Sequence, residues 1–91
     1  MSDTGSSGGQ AQAPIASAVL SYVVRALVDD PDAVSVDAVE RRRGVLLEVR
    51  TGPGDLGRVI GRRGRTAQSI RAVVRAAASR DGVEADVDFV D

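Results

Sequence analysis

Gly61-Arg62-Arg63-Gly64 sets two arginines between two glycines, directly after the aliphatic pair Val59-Ile60 and just before Arg65. Glycine ends a helix by taking a positive φ, and without a Cβ it lets another backbone come close. A helix ending at Gly61 and a second one opening at Gly64 or Arg65 would leave unpaired N–H groups and a positive dipole end at the start of the second. That is a setting for phosphate. Arg62, Arg63 and Arg65 add charge there. Arg71 and Arg75, one turn apart, extend the positive field along the later helix, and Val59 or Ile60 floors an aliphatic groove beside the loop. The chemistry on offer is the holding of an extended anion with an apolar side.

Catalytic chemistry has little to work with. The 91 residues contain no histidine and no cysteine, so the commonest general base, the commonest metal ligand and every thiolate are missing. No pair of carboxylates, hydroxyls or backbone groups converges by spacing, so no catalytic residue, metal ligand or cofactor site is assigned. The net charge of -1 hides a basic middle: residues 41–80 carry eleven arginines against Glu48 and Asp55, between acidic ends. Such asymmetry marks a localised anion site. Every basic residue is arginine, which GC-rich coding alone would also produce. No apolar run approaches a membrane span and the N-terminus lacks the order of a secretion signal, so a cytoplasmic protein is expected.

Residues 1–13, rich in Ser, Gly, Gln and Ala, read as a disordered tail, and residues 14–91 as a single domain. Pro14 suits a first helical turn, and Ile15, Ala18, Val19, Tyr22, Val23, Ala26 and Leu27 recur at the helical period as its inward face. Leu20, Val24 and Val28 form a second row, which either widens the core face or meets another protein; the second reading is preferred near Leu20. The helix should stop at Asp29-Asp30-Pro31. Val34, Val36 and Ala38 alternate as a half-buried strand, and the turn Arg41-Arg42-Arg43-Gly44 leads to Val45–Val49, apolar enough for a central strand. Asp55 is placed to N-cap a short helix, Leu56 to Ile60. A longer helix follows from about Arg65 to Arg80, with Ala67, Ile70, Val74, Ala77 and Ala78 inward, and Asp81-Gly82 ends it. Val83, Ala85, Val87 and Phe89 alternate with acids in a last strand whose charge discourages pairing at a sheet edge.

Val59-Ile60-Gly61-Arg62-Arg63-Gly64 resembles the (V/I)-I-G-x-x-G signature of KH domains, and the order helix, strand, strand, helix, helix, strand resembles their type II fold. The string Asp55 to Arg65, continued by Ile70-Arg71-Ala72-Val73-Val74-Arg75-Ala76-Ala77-Ala78, is similar to the KhpA family of small bacterial single-KH proteins, over about Pro14 to Asp91. The resemblance implies an α+β fold of order α-β-β-α-α-β. Its three-stranded mixed sheet would carry the helices on one face, with two parallel core strands joined by a right-handed crossover. It implies a G-x-x-G loop that clamps about four unpaired nucleotides. The RNA-binding residues are then Ile60, Gly61, Arg62, Arg63, Gly64, Arg65, Ile70 and Arg71, with strand residues Val45 to Val49 as the opposite wall. The family's partners are single-stranded RNA and a second KH chain, as homodimer or heterodimer. Its roles are RNA chaperoning, post-transcriptional regulation, cell shape and cell-wall biogenesis. Gly54-Asp55 departs from the family pattern, which bears on helix entry more than on binding.

Other readings are weaker. Gly52-Pro53-Gly54-Asp55-Leu56-Gly57 matches G-x-G-x-x-G after a strand, but the helix breaks at Gly61 and no second strand with an acid follows at the required spacing. Arg41-Arg42-Arg43 reads as a solvated hairpin tip before it reads as a second phosphate contact. Glu84, Asp86 and Asp88 read as a solvated strand face. With only Tyr22 and Phe89 aromatic, there is no stacking platform and base preference should be poor. The main alternative to RNA binding is a protein-interaction adaptor that dimerises through the first helix.

Overall fold

A computed structural model describes residues 12–91. The tail expected over residues 1–13 lies outside these except for Gln12 and Ala13. Ala13 is fully buried, and its carbonyl accepts the Ser17 N–H at 2.8 Å, so the ordered fold takes in this residue.

Helix α1 (Pro14–Leu27) opens with proline at its first turn and stops at Val28, ahead of Asp29-Asp30-Pro31. After a single turn at Pro31–Ala33 come β1 (Ser35–Arg41) and β2 (Gly44–Arg50), a hairpin with Arg42-Arg43 at its tip. Then follow α2 (Leu56–Ile60), a tight turn at Arg62–Gly64, α3 (Arg65–Asp81) and β3 (Ala85–Val90). The sheet order is β1-β2-β3, with β1 antiparallel and β3 parallel to β2. This is the α+β, α-β-β-α-α-β arrangement with a mixed three-stranded sheet.

Alternation along the strands sorts the two sheet faces. Val36, Val45, Leu47, Val49, Ala85 and Val87 point into the core with Leu20, Val24, Val59, Ile70 and Val74 from the helices, so the helices cover one face. The other face is open. Asp37 pairs with Glu48 and Glu48 with Asp88, so three carboxylates line up across it. An ion pair between Asp37 and Arg50 at 3.7 Å offsets only part of that repulsion.

Helix α1 turns a different side to the core than its main apolar stripe suggested. Of that stripe Val19 and Val23 are half-buried against the core, but Ile15, Ala18, Tyr22, Ala26 and Leu27 are exposed, Tyr22 at 78%, whereas Leu20 and Val24 are buried with Ala16 and Ser17. Leu20 therefore belongs to the core, and the protein-contact reading of the Leu20 row is wrong. Apolar residues occupy both rows, so period alone does not choose between them. The packing against α3 does: the two helices are in contact, and the small buried pair Ala16-Ser17 lies at the end of α1 that Asp81 of α3 holds.

Side chains distant in sequence fix the helix ends. The Asp81 carboxylate, at the end of α3, accepts the N–H groups of Ile15 at 3.0 Å and Ala16 at 2.9 Å and so caps α1. Asp55 makes no side-chain cap on α2, contrary to expectation. It is buried, accepts the N–H groups of Asp29 at 3.2 Å and Asp30 at 3.1 Å, and meets Arg58 Nε at 3.2 Å. The carboxylate is occupied by the chain leaving α1. No local signal reveals either role, although Asp55 stands out as one of only two acids in the basic middle.

Candidate nucleic-acid interface

The Gly61–Gly64 loop takes its shape from its two glycines. Helix α2 closes where the Gly61 N–H donates to the Gly57 carbonyl at 3.0 Å, with Gly61 at φ 76°, ψ 173°. A tight turn follows, the Gly64 N–H donating to the Gly61 carbonyl at 3.1 Å. Arg63 (φ 59°) and Gly64 (φ 72°) are both left-handed, and α3 starts immediately. The two glycines differ in what surrounds them. A Cβ on Gly61 would collide with the Thr66 side chain, whereas one on Gly64 would meet nothing within 4 Å. Gly61 lets the loop fold back on α3; Gly64 leaves the outer side of the turn open to a ligand.

Arg62, Arg63 and Arg65 are exposed at this turn and form no ion pair among the described residues. Gly64, at the N-cap of α3, has no side chain to satisfy the first-turn N–H groups. The Gly64 and Arg65 N–H groups donate to the Gly61 and Arg62 carbonyls, so what converges on this small surface is the exposed guanidinium groups and the positive end of the α3 dipole. The carboxylate row Asp37–Glu48–Asp88 lies on the open sheet face, so a polyanion is attracted to the loop and repelled by the sheet.

The remaining expected site residues divide. Of the aliphatic pair, Val59 is core and Ile60 is half-buried beside the loop, where an apolar contact is available. Ile70 is buried in the core on the helix side. Val45, Leu47 and Val49 are buried beneath the helices, so β2 cannot offer an open groove wall; the strand exposed beside α3 is the edge strand β3. Arg71 does not project into solvent as a member of a phosphate field would. It is half-buried, with Nε donating to the Val87 carbonyl at 3.3 Å and its guanidinium carbon 5.1 Å from the centre of the Phe89 ring. Arg75 pairs with Asp86 at 3.1 Å. Spacing on α3 places both arginines correctly, but their partners on β3 follow only from the parallel strand pairing. Among the described residues no group of acids is arranged to hold a metal, and no helix is long and apolar enough to cross a membrane.

Comparison with known proteins agrees with this geometry. Residues 17–89 match the family model described as KhpA/KhpB, KH domain. The chain is 54% identical over 72 residues to the RNA-binding protein KhpA of Leifsonia xyli subsp. xyli, covering 79% of this chain and 92% of that protein. It is 51% identical over 72 residues to the RNA-binding protein KhpA of Streptomyces coelicolor, with 79% and 90% covered. Against the RNA-binding protein KhpA of Mycobacterium leprae it is 50% identical over 68 residues, with 75% and 84% covered. No solved structure gives a significant match. With the G-x-x-G turn set between α2 and α3 above a mixed αββααβ sheet, the chain belongs to the KhpA/KhpB family of KH domains.

Proposed function

We propose that this protein binds short unpaired RNA, clamping the sugar-phosphate backbone at Gly61–Gly64 and serving as an RNA chaperone or post-transcriptional regulator in the cytoplasm. The observation that carries this reading is the pair of exposed arginines, Arg62 and Arg63, without an ion pair among the described residues and held by two positive-φ glycines at the start of α3. Arg65 continues the cationic surface, Ile60 offers the apolar contact and Gly64 the close approach. The loop holds few phosphates, so binding is weak and falls with salt, with a slope of about -0.7 per neutralised phosphate on a single strand. A weak, exchanging clamp on unpaired backbone suits a chaperone, because it favours open RNA without locking one sequence. The paired change Arg62→Asp, Arg63→Asp tests the reading by fluorescence anisotropy with a labelled uridine-rich oligonucleotide. Binding should be lost while the circular dichroism spectrum stays unchanged; retained binding refutes the clamp.

A second reading, compatible with the first, rests on the outer side of α1. Ile15, Ala18, Tyr22 and Ala26 form an exposed stripe away from the core. We read it as the docking face for a second KH chain, of the same or a larger protein, which would place two weak clamps in one assembly and raise their effective concentration. Light scattering on Tyr22→Glu tests it. A mass falling from dimer to monomer supports it, and a wild-type protein monomeric at all concentrations removes the homodimer.

A further inference from the structure

The geometry points to Arg71 as a base-reading residue that selects guanine in the strand held by the loop. This rests on the RNA-clamping reading above and adds to it a source of sequence preference that neither the loop nor the phosphate contacts supply. Two contacts fix the Arg71 guanidinium. Its Nε donates to the Val87 carbonyl at 3.3 Å, and the group lies over the Phe89 ring at 5.1 Å. Val87 sits on the free edge of the sheet. The Val45 N–H donates to the Glu84 carbonyl, and Val45 stands opposite Ala85. In this parallel ladder the carbonyls of Glu84, Asp86 and Asp88 thus turn to β2, while those of Ala85, Val87 and Phe89 turn outward. Arg71 is anchored on the outward side, in the cleft between α3 and the β3 edge.

The anchoring consumes one donor of five. The four N–H groups on the two Nη atoms have no hydrogen-bond partner among the described residues, and no carboxylate pairs with the group. Arg75, one turn further, is paired with Asp86. Arg71 is thus the first arginine beyond the loop with an immobilised, planar and unspent donor fork. It lies six residues into α3 from Arg65, about 9 Å along the helix axis, within the reach of a four-nucleotide segment held at the loop. A fork of that kind matches two adjacent acceptors, and the base edge that presents them is the O6/N7 side of guanine. An arginine meant for phosphate would be exposed, as Arg62 and Arg63 are. Arg71 has instead given up rotamer freedom to a carbonyl and an aromatic ring.

The test uses the full-length chain and uridine-rich octanucleotides with one central guanine, adenine or 7-deazaguanine, read by anisotropy over a salt series. Wild type should bind the guanine strand about tenfold more tightly than the adenine strand, with much of that lost for 7-deazaguanine. Arg71→Met keeps the aliphatic stem over Phe89 but has no donor; it should bind all three strands alike, with an unchanged salt slope. Arg71→Lys keeps the charge and donors that reach O6 and N7 without the planar fork, so its guanine preference should shrink, with an unchanged salt slope. A wild type without guanine preference overturns the assignment. So does a loss in Arg71→Lys or Arg71→Met that is equal for all strands, or a slope reduced by about 0.7, which marks a phosphate contact. If Arg71→Met unfolds, the deazaguanine strand on wild type and Arg71→Lys still decide. Binding that depends on Arg62 and Arg63 but shows no base preference leaves the clamp standing and removes only Arg71. No binding to any strand removes both.

Discussion

A Cβ on Gly61 would stand 2.6 Å from the Cβ of Thr66, inside any real carbon–carbon contact, while the same atom on Gly64 would stand in open space. The two glycines of the loop therefore fail differently. Gly61→Ala combines the strain of a positive-φ, extended conformation essentially confined to glycine with overpacking against the first turn of α3, and should cost about 2 to 4 kcal/mol. Gly64→Ala meets strain alone and should cost about 1 to 2 kcal/mol. Urea denaturation of both variants checks the order, and equal losses would remove the Thr66 contact as the reason for glycine at position 61. For RNA binding, Gly64→Asp is the informative change: it shares the left-handed strain of Gly64→Ala, and a further loss of binding beyond that variant reads the bulk and negative charge on the ligand side.

The two rows of α1 predict opposite outcomes for the same substitution. Leu20 is fully buried and Tyr22 is 78% exposed. Leu20→Glu buries a charge without a partner and should unfold the domain, while Tyr22→Glu should shift stability by less than about 0.5 kcal/mol. Thermal melts of the two variants suffice, and a folded Leu20→Glu protein would show that α1 is rotated from the orientation described.

Much of this molecule is legible in its sequence. Pro14, Asp29-Asp30-Pro31, the Gly61 break and Asp81-Gly82 mark element ends by local chemistry, and those ends lie within about a residue of where they were read. The loop was legible for the same reason, because glycine and charge are local signals. What was hidden depends on distant partners. The period of α1 fits two rows, and only α3 selects one. Asp55 looks like a cap from its own neighbours and is claimed by Asp29 and Asp30, 26 and 25 residues away. Arg71 looks like a free cation until β3 folds beside it.

Asp55 should be worth more to the fold than a surface cap. Its buried carboxylate serves two backbone N–H groups and the Arg58 guanidinium, so Asp55→Ala would leave two part-buried donors without their acceptor at a cost of about 2 kcal/mol. Asp55→Asn keeps an acceptor and should lose less. Chemical denaturation reads both, and amide exchange should rise first at Asp29 and Asp30. A loss under about 0.5 kcal/mol for Asp55→Ala would mean that water replaces the carboxylate at no penalty.

Asp81 ties the last turn of α3 to the first turn of α1, so its effect should appear at α1. Asp81→Ala should cost about 1 kcal/mol, as for other lost helix caps, with faster hydrogen exchange at the Ile15 and Ala16 amides. Exchange that rises only at the end of α3 would place the capping role elsewhere.

Arg63 carries a conflict between fold and ligand. It holds a left-handed conformation at φ 59°, ψ 23°, which an L-residue with a side chain occupies at a cost of about 1 to 2 kcal/mol. Its side chain is exposed, and among the described residues no ion pair or side-chain hydrogen bond offsets that strain. Arg63→Gly relieves it, with part of the gain returned as unfolded-state entropy. The variant should be as stable as wild type or more stable by up to about 1 kcal/mol, and should bind unpaired RNA more weakly with a smaller salt slope. Arg63→Ala keeps the strain and loses the charge, so it should match the binding loss without the stability gain. Melting temperature and salt-dependent anisotropy on the two variants separate the terms. An Arg63→Gly protein that is less stable than wild type would show that arginine is held there by a contact within the fold and not by the ligand.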